Sequence, residues 1–368
     1  MSWRIPLADV RITGAQRSAV LEVLDSGWLS MGPRTEQWEA DFAAAADVPH
    51  AVAVSSGTAA LLIALQALGV GPGDEVVLPS LTFVADANVV VALGAVPVLA
   101  DVVSPVLPLS TAHELLARVT PRTKAVLVVH YAGHVVDVQP LLDAGLRVVE
   151  DAAHASGALD DTGWLPLRGD VACFSFFANK NLALGEGGMA TTADPDLAAR
   201  LRLLRSHGMT SGTWDRHRGH ASDYDVVATG WNLRTTELAA AMGSAVLPDL
   251  SPGNARRREL LTGYRASFDG TAVRMAFEQD DRTAAHLAVA VLPPGTRPAV
   301  RAALAEQRVQ SSFHYPPVHG FTAFEGVVGT PLPQTDAAAA RLVTLPLHPH
   351  LSDAELRVVV DGVLAALR

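Results

Sequence analysis

With 368 residues, 49% of them hydrophobic, the chain has material for two domains and a large core. Its formal net charge of −10 argues against a nucleic-acid or anionic-membrane partner, because either would repel an acidic surface. A single cysteine, Cys173, excludes an internal disulfide and fits a reducing, cytoplasmic compartment.

From residue 50 to about 150 helical and strand patterns alternate. The pattern predicts a strand at Ala51–Val54, a helix at Thr58–Leu68 and, after the turn Gly71-Pro72-Gly73-Asp74, a strand at Glu75–Leu78. Helix Ala85–Leu93, strand Val96–Ala100, helix Thr111–Arg118 and strand Ala125–Val129 follow. The apolar run Leu146–Val149 reads as a buried strand ending in Glu150-Asp151. Strands Val171–Phe176 and Met189–Thr192 complete the sheet, and Cys173 reads as a core thiol within the first of them. This alternation predicts an α/β fold with a mostly parallel sheet covered by helices on both faces.

Helix Pro195–His207 comes next, then helix Thr236–Leu247, which Pro248 to Pro252 interrupt. The charged helix Asn254–Phe268 is expected to bridge to a smaller α+β domain, so the division falls as residues 1–247 and 248–368. That second domain is predicted to hold strand His286–Leu292, helix Pro298–Gln307, strand Val309–Phe313 and a last helix Asp353–Leu367. Met1–Val10 carries no signal-peptide pattern, and no apolar run reaches the ~18 residues of a membrane span. The apolar surplus points to a subunit interface and hence to an oligomer.

Chemistry concentrates around Lys180. It sits in Phe174-Ser175-Phe176-Phe177-Ala178-Asn179-Lys180-Asn181, among small, amide and apolar residues with no run of charge. Desolvation favours the neutral amine that a Schiff base requires. Asp151, at the end of a buried strand, is placed to face a pyridine nitrogen and keep it protonated. Together the two residues suit pyridoxal phosphate chemistry, whereas alone the acid reads more readily as a helix cap and the lysine as a solvated one. Ser55-Ser56-Gly57-Thr58-Ala59-Ala60 opens a helix, where free N–H groups bind a phosphate or form an ordinary cap. Ser175 could reach the same phosphate or bond backbone. Phe83, just after a strand end, could stack on a cofactor ring or fill the core. His154 could meet the Asp151 carboxylate or the cofactor's phenolic oxygen, or be a structural histidine.

These residues carry a resemblance that runs nearly end to end. Its elements include Gly27-Trp28-Leu29-Ser30, Ser56-Gly57-Thr58-Ala59-Ala60, Pro79-Ser80-Leu81-Thr82-Phe83 and Val129-His130-Tyr131-Ala132-Gly133-His134. Glu150-Asp151-Ala152-Ala153-His154, Asn179-Lys180-Asn181, Gly185-Glu186-Gly187-Gly188 and Gly230-Trp231-Asn232-Leu233-Arg234 continue it. The chain resembles the sugar aminotransferases of the DegT/DnrJ/EryC1/StrS family, fold-type-I pyridoxal phosphate enzymes.

The resemblance implies that Lys180 forms the Schiff base and then moves the proton between the donor's Cα and the cofactor's C4′. It implies Asp151 at the pyridine nitrogen, Phe83 on the ring, His154 at the phenolic side, and Gly57, Thr58 and Ser175 at the phosphate. Asn232 resembles an asparagine that reaches the phosphate of the neighbouring subunit, which implies a homodimer with shared sites. Trp231 and Leu233 depart from the tyrosine or phenylalanine common at their positions. On the substrate side His314, Tyr315 and His319 resemble a C-terminal loop that meets sugar hydroxyls, and Trp28 and Ser30 lie in a segment over the site. No third ligand accompanies His314 and His319, so a metal is not expected there. Arg216 and Arg218 form a short basic loop that could neutralise a nucleotide diphosphate or be solvated.

The activity implied is amination of a keto sugar, a nucleotide-linked 4-keto sugar, with L-glutamate as donor and pyridoxamine phosphate as the intermediate cofactor form. Aminocyclitols or 3-keto sugars are the alternative substrates. A non-catalytic cofactor-binding regulator would be expected to lose Lys180 or Asp151, and both are present.

Overall fold

A computed structural model describes residues 3–160, 163–164, 167–212, 214, 219, 223–327 and 331–368. Two helices, α1 (Gly14–Ser26) and α2 (Pro33–Ala45), precede the predicted alternation. Then come β1 (His50–Val54), α3 (Gly57–Ala67), β2 (Glu75–Pro79), α4 (Ala85–Ala92), β3 (Val96–Ala100), α5 (Ala112–Leu116) and β4 (Thr123–Val129). A short α6 (Gln139–Asp143) leads to β5 (Val148–Asp151), β6 (Val171–Ser175), β7 (Gly188–Thr192) and α7 (Pro195–Arg205).

These seven strands form one sheet in the order β1-β7-β6-β5-β4-β2-β3. β7 is antiparallel to both of its neighbours, and the remaining pairs are parallel. Both faces are covered, which is why the strands read as near-continuous apolar runs. On one face Ala51, Ala53, Phe174 and Met189 pack with Trp38 and Phe42 of α2. On the other, Val52, Val54, Cys173 and Ala190 pack under α3 and α7, with the Cys173 thiol buried as expected. Local sequence sets the helix starts: Ser56 Oγ accepts from Ala59 N–H at α3, and Asp194 caps α7 just before Pro195.

α8 (Glu237–Val246) passes through a 3₁₀ turn, Leu247–Asp249, into α9 (Leu250–Phe268). The predicted helix at Asn254 thus begins four residues earlier. Pro252 falls in the first turn, where the N–H it lacks has no intrahelical acceptor to lose. β8 (Arg274–Met275), β9 (Ala288–Val291), α10 (Arg297–Glu306), α11 (Pro333–Arg341), β10 (Leu342–Leu345) and α12 (Asp353–Ala365) complete the chain. β10-β9-β8 form a second, antiparallel sheet.

The strand expected at Val309–Phe313 is not regular. It makes single bridges from Val309 to Ile5 and from Ser312 to Thr344. Ile5 lies fully buried in the C-terminal core with Val309 and Val343, so the chain's first residues join that core rather than the large sheet. No helix among the described residues is long and apolar enough to cross a membrane.

Candidate active site

The loops at the carboxyl ends of β1, β2, β5 and β6 converge on one cavity of about 430 Å³. Gly57 and Thr58 reach it from the β1–α3 turn, Phe83 from β2, Asp151 and His154 from β5, and Ser175 and Lys180 from β6. His314 and Tyr315 close it from the C-terminal half. Nine of the sequence-derived residues therefore share one space, although they are spread over more than 250 positions.

Lys180 stands in a tight loop closed by the Leu184 N–H to Phe176 carbonyl bond of 2.9 Å. Its neighbour Asn181 fastens that loop. Asn181 Nδ2 donates to Asn254 Oδ1 at 2.8 Å and to the Ala284 carbonyl at 2.7 Å, while its Oδ1 lies 2.9 Å from His286 Nδ1. The amide nitrogen is the donor in two bonds, so Oδ1 accepts and His286 Nδ1 carries the proton. Burial pushes the Lys180 amine down to about 8, against the opposing pull of the Asp151 and Asp86 carboxylates.

Asp151 Oδ1 accepts from Ala153 N–H at 2.8 Å. Burial raises its carboxyl, while that N–H, the Lys180 ammonium and His130 act to lower it. His154 does not meet Asp151. Ala132 N–H donates to its Nδ1 at 3.2 Å, so Nε2 carries the proton and donates to Tyr315 Oη at 3.0 Å. Tyr315 keeps its own O–H available for a ligand. Burial, and then the charge on Lys180, hold His154 and His286 well below the usual imidazole value and His314 down to about 4. Three neutral imidazoles thus surround one amine.

The Gly57 end of the cavity is built from backbone. Gly57 lies against the β6 end, where a Cβ would meet Ser175 Cβ at 2.8 Å. Only a glycine lets the first turn of α3 approach Ser175 this closely, with its leading N–H groups free of intrahelical partners. Phe83 is 53% exposed, its ring centroid 5.6 Å from that of Tyr315. The lysine, the strand-end acid, the exposed ring and this N-terminal cradle fit the chemistry of pyridoxal phosphate.

Other expected residues lie elsewhere. His319 is occupied at both nitrogens: Nδ1 lies 2.7 Å from Ser80 Oγ and Nε2 lies 2.8 Å from Asp336 Oδ1. It pins its loop to β2 and α11 instead of lining the cavity. Trp28 stacks obliquely on Trp214 with centroids 4.7 Å apart, and Ser30 bridges Thr236; neither lines the cavity of Lys180. Asn232 is exposed, bridging Ser206, and does not line the cavity of its own chain. Arg216 and Arg218 lie outside the described residues. Sequence reasoning missed Asp86, His286 and the clamping role of Asn181. Asn181 lay within the Asn179-Lys180-Asn181 element, and Asp86 left a signal as a carboxylate opening the apolar run Ala85–Leu93.

A family model for the DegT/DnrJ/EryC1/StrS aminotransferases matches residues 10–364. The spore coat polysaccharide biosynthesis protein SpsC of Bacillus subtilis (strain 168) is 39% identical over 359 residues, covering 94% of this chain and 92% of that protein. The crystal structure of the aminotransferase TlmJ from Streptoalloteichus hindustanus aligns with a TM-score of 0.90 at 35% identity, covering 99% of this chain and 98% of that one. NtdA from Bacillus subtilis, solved with bound cofactor PMP, aligns with a TM-score of 0.86 at 27% identity over 97% of this chain and 83% of its own. The chain belongs to the DegT/DnrJ/EryC1/StrS aminotransferase family and is a pyridoxal phosphate-dependent aminotransferase.

Proposed function

We propose that this aminotransferase acts on a keto sugar carried on a nucleotide, aminating its 4-keto carbon with L-glutamate as donor, and that it works as a homodimer with shared sites. The observation that carries the assignment of chemistry is the placement of the lysines. The sequence contains only two, Lys124 and Lys180. Lys124 is exposed near the start of β4, at the opposite end of the strands, whereas Lys180 stands inside the cavity.

Bound there, pyridoxal phosphate supplies an electron sink for charge developing at the amino donor's Cα. Lys180 would hold its aldehyde carbon and, once displaced, carry a proton on Nζ between the donor's Cα and the cofactor's C4′. Asp151 would hold the ring nitrogen, and Phe83 would cover one ring face. Gly57, Thr58 and Ser175 would hold the phosphate. His314 and Tyr315 bring uncharged donors and acceptors to the same space, which suits sugar hydroxyls. The relative SpsC, named for spore coat polysaccharide biosynthesis, supports a sugar acceptor.

Exposed Leu21, Leu24, Leu29, Val227 and Trp231 provide apolar surface for the partner subunit, and Asn232 lies beside this surface in sequence. In this reading Arg216 and Arg218 take the diphosphate, and Trp28 and Ser30 serve the substrate of the neighbouring site. Incubating the purified protein with glutamate and a panel of 4-keto and 3-keto nucleotide sugars and a keto-cyclitol, with products weighed by mass spectrometry, tests the substrate. Amination of the 4-keto compounds is expected. Amination of only a 3-keto sugar or the cyclitol would replace the proposed acceptor while leaving the aminotransferase chemistry intact.

A further inference from the structure

Beside Asp151 lies a second carboxyl that the cofactor chemistry above does not use. Asp86, in the first turn of α4, is 0% exposed. The Thr82 hydroxyl donates to its Oδ2, while its Oδ1 is buried with no donor in reach. Thr82, its partner, and Ala85, its neighbour in the chain, line the same cavity as Asp151, whose carboxylate is the charged group that acts on it most strongly. Two ionised carboxylates cannot share such a space, because each presents only acceptors and like charge to the other.

A single proton resolves both difficulties. Placed on Asp86, it turns the unpartnered oxygen into a donor. Asp151 is the better place for the negative charge, since it is 8% exposed and receives the Ala153 N–H on Oδ1. Lys180, Asp151, the Tyr315 hydroxyl and the buried Cys173 thiol are the titratable groups that interact with Asp86. Burial and the adjacent Asp151 charge drive the Asp86 carboxyl well upward, overriding the Thr82 bond and the pull of Lys180. The start of α4 would favour a charge, but an eight-residue helix with its end in the protein interior offers little against full desolvation.

We propose that Asp86 is a positioning residue for Asp151: a neutral carboxylic acid whose O–H donates to the Asp151 carboxylate, fixing its orientation and making it less basic. A less basic Asp151 leaves the shared proton on the cofactor's ring nitrogen, where it is needed. This consequence rests on Asp151 facing that nitrogen, whereas the carboxyl pair itself does not.

Isotope-edited infrared difference spectra, unlabelled full chain minus full chain labelled with ¹³C-carboxyl aspartate, recorded with and without pyridoxal phosphate, read the pair directly. The wild type should show a protonated aspartyl C=O stretch at neutral pH in both states. The band should vanish in Asp86→Asn and persist in Asp151→Asn. Absence from the wild type, or survival in Asp86→Asn, overturns the proposal. Should Asp86→Asn fail to fold, loss of the band from Asp151→Asn overturns it and retention supports it.

The amide of Asp86→Asn preserves a donor, so its pyridoxal phosphate affinity should stay within about threefold of wild type, whereas Asp86→Ala should lose about tenfold or more. Equal losses in the two variants would rule out positioning by hydrogen bond. Failure of the cofactor reading would appear separately, as wild-type protein that binds no pyridoxal phosphate while keeping the infrared band.

Discussion

Asn181 and Asn254 meet side chain to side chain, 2.8 Å from Nδ2 to Oδ1, and so tie the loop of Lys180 to helix α9. Asn254 in turn donates from Nδ2 to the carbonyls of Ser156 at 2.9 Å and Gly157 at 3.3 Å, in the loop that follows Asp151. One buried asparagine therefore ties together the loops that carry Lys180 and follow Asp151. Asn181→Ala removes two donated bonds and strands the Asn254 oxygen and the His286 N–H. We expect a loss of roughly 2–3 kcal/mol in denaturant unfolding. We also expect slower Schiff-base formation on added pyridoxal phosphate, followed by visible absorbance. Unchanged stability would mean that α9 does not hold this loop.

The Lys180 amine, lowered to about 8 by burial, sets the pH dependence of cofactor capture. Below that value the folded protein carries an ammonium, which is no nucleophile, and above it the free amine. The rate of Schiff-base formation in cofactor-free protein should rise with pH through about 8 and level off. A free, solvated lysine would keep rising towards ~10.4. Stopped-flow absorbance across this range decides between them. Borohydride reduction should then fix the label on the peptide carrying Lys180, and a label on Lys124 would sink the assignment.

Gly57→Ala places a methyl group 2.8 Å from Ser175 Cβ, so either the α3 turn or the β6 end must move. Because this junction also forms the proposed phosphate end of the cavity, pyridoxal phosphate affinity should fall by about tenfold, the scale of one charge-assisted hydrogen bond. Stability of the cofactor-free protein should fall by about 1–3 kcal/mol, the usual price of overpacking. Titration calorimetry and thermal unfolding measure the two effects separately.

Shared sites predict complementation. Lys180→Ala and Asn232→Ala proteins should each be inactive or nearly so. A mixed dimer should hold one site with both native residues, and mixing should restore activity towards about a quarter of wild type if exchange is random. Subunit exchange is confirmed independently by native mass spectrometry. No recovery after confirmed exchange would place Asn232 in service of its own chain.

How far the sequence carried depends on whether a feature is local. The alternation of β1 to β4 and the helices between them was legible because buried strands and capped helices declare themselves within a dozen residues. Val96–Ala100 falls on its expected bounds, and Ser56 and Asp194 cap the helices that follow them. α2 was missed because its apolar residues, Trp38 and Phe42, sit among charges, and the aromatic cluster they join exists only once Phe174 and Phe176 arrive from β6. Val309–Phe313 has strand-like composition, but its partners Ile5 and Thr344 each offer one bridge instead of a ladder.

By itself the sequence determined the α/β order of elements, the half-buried lysine with its strand-end acid, and the Ser56-Gly57-Thr58 turn that opens α3, because each rests on short-range pattern and residue chemistry. Tertiary structure alone decided which of the many polar residues share the cavity. It turned His319 towards Ser80 and Asp336, set His154 on Tyr315, and enclosed Asp86 beside Asp151. The physical reason is that burial and hydrogen-bond partnership are created by packing segments far apart in the chain. A carboxylate in the first turn of a helix reads as an ordinary, solvated dipole partner until its surroundings exclude water.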